Sequence, residues 1–322
     1  MRHPLAGVVA LCAIAALSPA SRSDAASPDA GLRVTLLGTG NPRPSFERFG
    51  PSILIETASG RRVLLDAGRG ATMRLWQVGG AELLASVDVV LLTHLHSDHV
   101  VGLPDVWLTG WLFGRKTPLR VIGPRGTAEL VEGLKRAYAF DVKMRRDVDE
   151  RLPGTGAELV AEETGGGGVL DSGGLRVTAF AVDHGVVTPA LGYRIDAGGR
   201  SAVFSGDTRP SEALVEAARG VDLLVHEVVS PEVERRVAKI QGKERIERVI
   251  AHHTTPEEAG RIFARAKPRL AVYSHIVPSP ATAADLVPPT RKTYAGPLVV
   301  GEDLVEIDVG EKVTTKKRAQ AR

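Results

Sequence analysis

Four side chains with metal-ligating chemistry fall inside six positions in Thr93-His94-Leu95-His96-Ser97-Asp98-His99. This is an HxHxDH pattern directly after an apolar run, Val87–Thr93. In an extended segment, residues two apart point to the same side, so His94 and His96 can address one ion. Asp98 and His99 enter the following turn and can address a second point a few ångströms away. Zinc accepts imidazole and carboxylate alike, at about 2.0–2.2 Å. Four donors cannot close two such sites, so further donors are expected where other strands end. His184 in Val182-Asp183-His184-Gly185, Asp207 in Ser205-Gly206-Asp207-Thr208 and His275 in Tyr273-Ser274-His275 each follow an apolar run.

The elements that must carry these donors can be read from periodicity. Arg33–Leu37 reads as a strand, and Ser52–Thr57 with Arg62–Asp66 as a hairpin about Ala58-Ser59-Gly60. Val87–Thr93 is nearly all apolar, as expected of a strand buried on both faces. Leu119–Ile122, Leu175–Val182, Leu191–Ile195, Ser201–Ser205, Val221–Val225 and Leu270–Ser274 read as further strands. Helical spacing predicts Thr127–Phe140, Ser211–Arg219 and Pro256–Ala266. Thr255 caps the last of these, and Glu257-Glu258 fill its first turn. Gly165–Gly168 reads as a flexible loop. Two sheet-rich halves with interspersed helices and no long linker predict one compact α/β unit.

The donor set resembles the metallo-β-lactamase superfamily. Several other segments are similar to its ribonuclease Z-like branch: Gly38-Thr39-Gly40-Asn41-Pro42-Arg43-Pro44, Arg48-Phe49-Gly50-Pro51-Ser52, Gly192-Tyr193-Arg194, Ser205-Gly206-Asp207-Thr208, His226-Glu227 and His253-Thr254-Thr255. The resemblance spans about residues 33–309. It implies a four-layer αββα sandwich and a dinuclear zinc site, although imidazole–carboxylate sets also accept manganese or iron. In that arrangement His94, His96 and His184 bind one ion, Asp98, His99 and His275 the other, and Asp207 bridges them. Two ions about 3.5–4 Å apart would share a water and make it a hydroxide nucleophile near neutral pH. Asp98 would orient that hydroxide. His253, preferred over its neighbour His252, would protonate the leaving oxygen or stabilise charge on it, and Glu227 would tune its pKa. His226 is read as a buried supporting histidine rather than a ligand.

Composition limits the setting. The 322 residues carry 41 Lys+Arg against 38 Asp+Glu, a formal charge of +3, with no basic stripe beyond Lys316-Lys317-Arg318. That basic end, residues 311–322, reads as a solvated frayed tail. RNA held through several phosphates needs clustered cations, so nucleic acid is not the favoured partner. Arg2 and His3 precede the uncharged run Leu5–Leu17, and small residues follow, the signature of a signal peptide over residues 1–25. A 13-residue run is shorter than the roughly 20 residues needed to span a bilayer, so the mature form is expected to be exported, secreted or periplasmic, without a membrane anchor. Cys12 is the one cysteine and lies in that leader. The mature chain would then hold any metal through His, Asp or Glu alone.

The expected function is an exported dinuclear zinc hydrolase acting on small phosphodiesters. An arylsulfatase-like or a lactone/β-lactam hydrolase is the alternative on the same scaffold. Less favoured are a tRNA 3′-processing endonuclease and a non-catalytic metal-binding module. Only 22 residues separate His184 from Asp207, where many ribonuclease Z enzymes insert a tRNA-gripping arm. Trp107–Arg115, with two tryptophans and a phenylalanine, could either wall an aromatic pocket or pack in the core. The oligomeric state is open, and a homodimer is compatible with the sequence.

Overall fold

A computed structural model describes residues 31–318; the expected leader lies outside the described residues. The first half runs β1 (Leu32–Gly38), β2 (Ser52–Thr57), β3 (Arg62–Leu65), α1 (Ala71–Ser86), β4 (Val89–Leu91), α2 (Ser97–Val100), α3 (Leu103–Leu112), β5 (Leu119–Gly123), α4 (Thr127–Ala137), α5 (Ala139–Lys143) and β6 (Leu159–Glu163). The second half runs β7 (Gly167–Ser172), β8 (Leu175–His184), β9 (Val187–Ala197), β10 (Arg200–Phe204), α6 (Glu212–Ala217), β11 (Leu223–Val229), α7 (Pro231–Val237), α8 (Lys243–Ala251), α9 (Pro256–Ala266), β12 (Leu270–Val277), α10 (Ala283–Arg291) and β13 (Leu298–Val300). β14 (Val305–Val309) and β15 (Val313–Lys317) return to the first sheet. The sheet orders are β15-β14-β1-β2-β3-β4-β5-β6 and β13-β12-β11-β10-β9-β8-β7.

Alternation along the strands builds the layers. Leu32, Val34 and Leu36 of β1, Val89 and Leu91 of β4, and Leu223 and Val225 of β11 meet in an apolar layer between the two sheets. The intervening residues face outward: Leu37, Val90 and Leu92 pack with Leu75, Leu84 and Trp107 from the helices over the first sheet. Leu224 and Val203 pack with Leu214, Ile262 and Phe263 over the second. Three apolar layers between four structural layers make the αββα sandwich expected above.

Strand direction then gathers one edge. β3, β4, β5 and β6 run parallel, and so do β10, β11, β12 and β13. Parallel neighbours end on the same side, and loops at their C-terminal ends collect side chains there. One excursion rises from that edge: residues 230–253, carrying α7 and α8, leave β11 and return before α9. Its base is closed by Val229 N–H donating to Thr254 O (2.9 Å) and Ser230 N–H donating to Val277 O (2.7 Å).

Two readings change, and one that was open is decided. As far as it is described, the basic end is an edge strand instead of a frayed tail: Val313–Lys317 pairs antiparallel with β14, and Lys316 meets Glu306 at 2.7 Å, while residues 319–322 lie outside the described residues. Glu306 and Asp308 on β14, which also pair with Arg33, give those cations a sheet to join. Gly167–Ser172 is a strand against β8, so the glycine run is loop only at its start. Trp107 and Trp111 lie in α3, 1% and 2% exposed, and donate to Ala157 O and Pro153 O. They pack the core instead of walling a pocket, while Phe113 lies half exposed against Trp76. Among the described residues no helix is long and apolar enough to cross a membrane.

Candidate metal centre

His94 and His96 follow β4, and Asp98 and His99 open α2, so the HxHxDH segment is a strand-to-helix turn. His184 ends β8, Asp207 follows β10, and His275 lies in β12. Two backbone distortions aim donors out of the sheets. Opposite Glu227, β12 places two residues, Ser274 and His275, between the pairs His226–Tyr273 and Val228–Ile276. Such a bulge re-aims a side chain, and His275 takes a left-handed φ of 42°. Asp66, at the end of β3, is left-handed too, at 56°. Backbone of this kind in a non-glycine residue is held only where its surroundings enforce it.

Seven side chains converge. His94, His96, His184 and Asp207 form one group, and Asp98, His99 and His275 another, with donor atoms within 4.8 Å in each. Asp207 Oδ2 stands between them. It is 3.8 and 3.9 Å from Nε2 of His94 and His184, and 3.5 and 3.3 Å from Nε2 of His99 and His275. Asp98 Oδ2 lies 3.6 Å from His99 Nε2 and 3.4 Å from His275 Nε2. Ligands bound at 2.0–2.2 Å to a tetrahedral ion stand roughly 3.3–3.6 Å apart, so these spacings suit shared cations. The orphaned atoms agree: His99 Nε2 and Asp207 Oδ1 are buried with no hydrogen-bond partner. Buried polar atoms of that kind require a partner. The donor set therefore fits divalent ions, with Asp207 placed to bridge.

The outer faces of the rings are fixed. His99 Nδ1 meets Asp66 Oδ2 at 2.8 Å, and Asp66 also accepts from Thr93 N–H and Oγ1. His184 Nδ1 meets His252 O at 3.0 Å. Such partners hold a ligating ring in one tautomer and orientation. Asp66 was not singled out in the sequence, although it ends a strand as Asp207 nearly does.

Burial and charge set the protonation of the metal-free donors. Burial lowers His94 well below the usual imidazole range and brings His184 to about 4. Burial opposes the proton on His99 as well, but Asp207, Asp66 and Asp98 outweigh it and raise the ring. Burial works against the Asp207 charge, yet His275 and His99 hold its carboxyl well below the usual carboxylate range. Neutral imidazoles and ionised carboxylates are the forms that bind metal, so His94, His184 and Asp207 already hold them, and a cation would displace the proton from His99.

His252 and His253 border the same space. His253 shares a 4.8 Å cluster with Asp207 and His275, and both rings cluster with His184. Burial pushes His253 down to about 4. Its Nδ1 is 3.3 Å from Glu227 Oε2 without hydrogen-bond alignment. Glu227 Oε1 instead accepts from Thr254 N–H (2.9 Å) and Thr208 N–H (3.3 Å). Burial first, then Asp207, raise its carboxyl well above the usual range. Glu227 thus ties the loop of His253 to the loop of Asp207. His226 is fully buried, edge-on to Phe263, with Nδ1 against Glu227 O.

The centre opens into a cleft of about 330 Å³. His96, Asp98, Asp207, His253 and His275 form its floor, and Asn41, Arg43, Glu234, Arg245 and Val249 its walls. Glu234 and Arg245 were not anticipated, because α7 and α8 are short and highly charged; Arg43 stood in a segment quoted for its resemblance, without a role of its own.

The family model described as "Beta-lactamase superfamily domain" matches residues 61–276. A protein named Ribonuclease Z from Mycobacterium bovis is 36% identical over 284 residues, covering 86% of this chain and 98% of the relative. One of the same name from Mycobacterium avium is 38% identical over 286 residues, covering 86% and 98%. Among solved structures, human tRNase Z, short form, superposes with a TM-score of 0.62 at 21% identity, covering 86% of this chain and 99% of that one. The metallo-β-lactamase fold protein YhfI from Bacillus subtilis gives 0.63 at 18%, covering 88% and 99%. The chain belongs to the β-lactamase superfamily of metal-dependent hydrolases, in its ribonuclease Z-like branch.

Proposed function

We propose that this chain is an exported phosphodiesterase that works with two divalent cations, zinc first among them. The observation that carries the reading is the single oxygen, Asp207 Oδ2, within 3.3–3.9 Å of four imidazole nitrogens drawn from both donor groups. Cations held there by His94, His96, His184, Asp98, His99, His275 and Asp207 supply Lewis acidity, lowering the pKa of a water and drawing charge from a phosphoryl oxygen. The chain's own groups do the rest. Arg43 and Arg245 face the cleft and balance the charge of the diester. Asp98, at the cleft floor, accepts a hydrogen bond from the attacking water. His253 is neutral at pH 7 and donates its ring N–H toward the leaving oxygen.

A second reading, tRNA 3′ processing, is favoured by the 36% identity to proteins named Ribonuclease Z. Against it, the hairpin β8–β9 and strand β10 fill the interval from His184 to Asp207. The test is a hydrolysis panel on purified mature protein, with and without chelator. It covers bis-p-nitrophenyl phosphate, cyclic AMP, pre-tRNA, an aryl sulfate, a lactone and a cephalosporin. Chelator-sensitive turnover of the small diesters is expected. Turnover of pre-tRNA alone would favour the second reading, and turnover of only the sulfate, lactone or cephalosporin would overturn both. Export is checked by the N-terminal sequence of protein recovered outside the cytoplasm.

A further inference from the structure

Among the described residues, three large apolar side chains stand more than nine-tenths exposed: Phe46 at 91%, Val186 at 93% and Ile240 at 98%. All three sit at the mouth of the cleft. Phe46 is three residues beyond Arg43 of its wall, and Ile240 is next to Gln241 of another. Val186 occupies the β8–β9 turn, between His184 and its partner Val187. A Cβ on Gly185 would stand 3.3 Å from the Cβ of His252, which also lines the cleft. Nothing in the local chain asks for apolar residues there. Turns favour Gly, Asn, Asp, Ser and Pro, whose conformations or side-chain hydrogen bonds suit them. The Phe46 turn has such a residue already: Ser45 Oγ accepts from Glu47 N–H (3.1 Å) and Arg48 N–H (3.2 Å), which fixes the turn and leaves the ring outside.

Exposed apolar groups gathered at one place mark an interaction surface, and their arrangement says of which kind. A protein interface has a contiguous apolar core within a polar rim. Here the apolar groups are single tips on three separate loops, with the polar cleft between them. Cations stand beside them: Lys239 and Lys243 flank Ile240, both exposed, and Arg43 and Arg245 lie in the cleft walls. The nearby acids are engaged or buried: Glu47 accepts from Ser45, Glu244 pairs with Arg248, and Glu234 is buried. Apolar tips with cations just behind them complement a lipid surface, whose acyl boundary takes the tips and whose anionic headgroups take the cations.

We propose that the mouth of the cleft docks on an anionic lipid surface, with Phe46, Val186 and Ile240 dipping below the headgroups and Lys239 and Lys243 at the level of their phosphates. Docking of this kind is peripheral and reversible, and it turns the metal centre toward whatever substrate the surface carries. The proposal goes beyond the phosphodiesterase reading and does not depend on which bond is cut.

The test is co-sedimentation of the metal-loaded mature protein, free of the apolar leader, with vesicles. One set holds equal parts of phosphatidylglycerol and phosphatidylcholine, the other phosphatidylcholine alone. Binding to the mixed vesicles is expected, about tenfold or more tighter than to phosphatidylcholine. Phe46→Ser and Ile240→Ser should each weaken it by about tenfold, through loss of an inserted apolar side chain, and the triple variant with Val186→Ser should abolish it. Lys239→Ala and Lys243→Ala should cost about fivefold each, less as salt is raised. Phe140→Ser, at a side chain 78% exposed on α5 outside the cleft lining, should change nothing. Thermal midpoints of the tip variants should match the unsubstituted protein, because these side chains bury so little. No sedimentation with either vesicle overturns the proposal, as does binding indifferent to the tip variants. Tip variants that instead convert a dimer to a monomer in analytical ultracentrifugation, without vesicle binding, would make the tips a contact between copies and overturn it too. Turnover of soluble bis-p-nitrophenyl phosphate, expected unchanged in the tip variants, reports separately on the phosphodiesterase reading: its absence in the unsubstituted protein counts against that reading and leaves the docking result standing.

Discussion

His253 shows how one ring can be placed for chemistry without being needed for metal. Its backbone neighbour Thr254 is pinned to Glu227 and, through Oγ1, to Thr208 O at 2.6 Å. The loop is therefore held by its own hydrogen bonds, independent of any ion. His253→Gln should lower kcat by about 10²–10³-fold, the usual cost of losing one hydrogen-bond donor to developing charge, with metal content unchanged by elemental analysis. Loss of metal in that variant would make His253 a ligand. At this scale the sequence was informative where imidazoles cluster: His94, His96 and His99 announce themselves by density. Asp66 was harder to read because lone carboxylates are common at strand ends. Glu234 could not be read, since a charged helix offers no sign of which acid faces inward.

Helix α9 is the element whose sequence and structure agree most closely. Thr255 Oγ1 accepts from Glu258 N–H, and Glu258 Oε2 accepts from Thr255 N–H, a capping box at the observed boundary. Thr255→Ala should cost about 0.5–2 kcal/mol of stability, measured as a lower denaturant midpoint. The central strands were legible because burial on both faces writes continuous apolar runs. Helix α1 was not, because Gly79 and Gly80 kink it. Nor was α10, which carries Pro288 and Pro289 inside the helix. Helices α7 and α8 are short and highly charged, and the amphipathic spacing of α8 about the buried Ile246 was not read. Residues 107–115 stayed open in the sequence because tryptophans suit a pocket and a core equally well, and only tertiary packing separates the two.

Across the whole molecule, the donors come from both sheets, while the apolar layers that hold the sheets together do not involve them. The metal-stripped protein is therefore expected to stay folded, with an acid-sensitive stability. His226 isolates one contribution. Burial places it at about 4 in the folded chain, against about 6.5 unfolded. The unfolded state binds the extra proton between those values, so stability is full above pH 6.5 and falls as pH drops toward 4. At pH 5 the loss from this ring is about 2 kcal/mol. Urea midpoints of chelated protein across pH 7 to 5 should show it, and His226→Asn should flatten the slope by one proton's worth. An identical slope in that variant would place the acid sensitivity elsewhere.

The paired backbone bonds at Val229–Thr254 and Ser230–Val277 close the α7–α8 excursion at a narrow neck. Whatever lies beyond the neck can lengthen, shorten or be exchanged without shifting the strand ends that carry Glu227 and His275. The donors that would hold the cations thus sit on the rigid sheet edge, His253 stands at the neck itself, and only the outer walls of the cleft are free to drift.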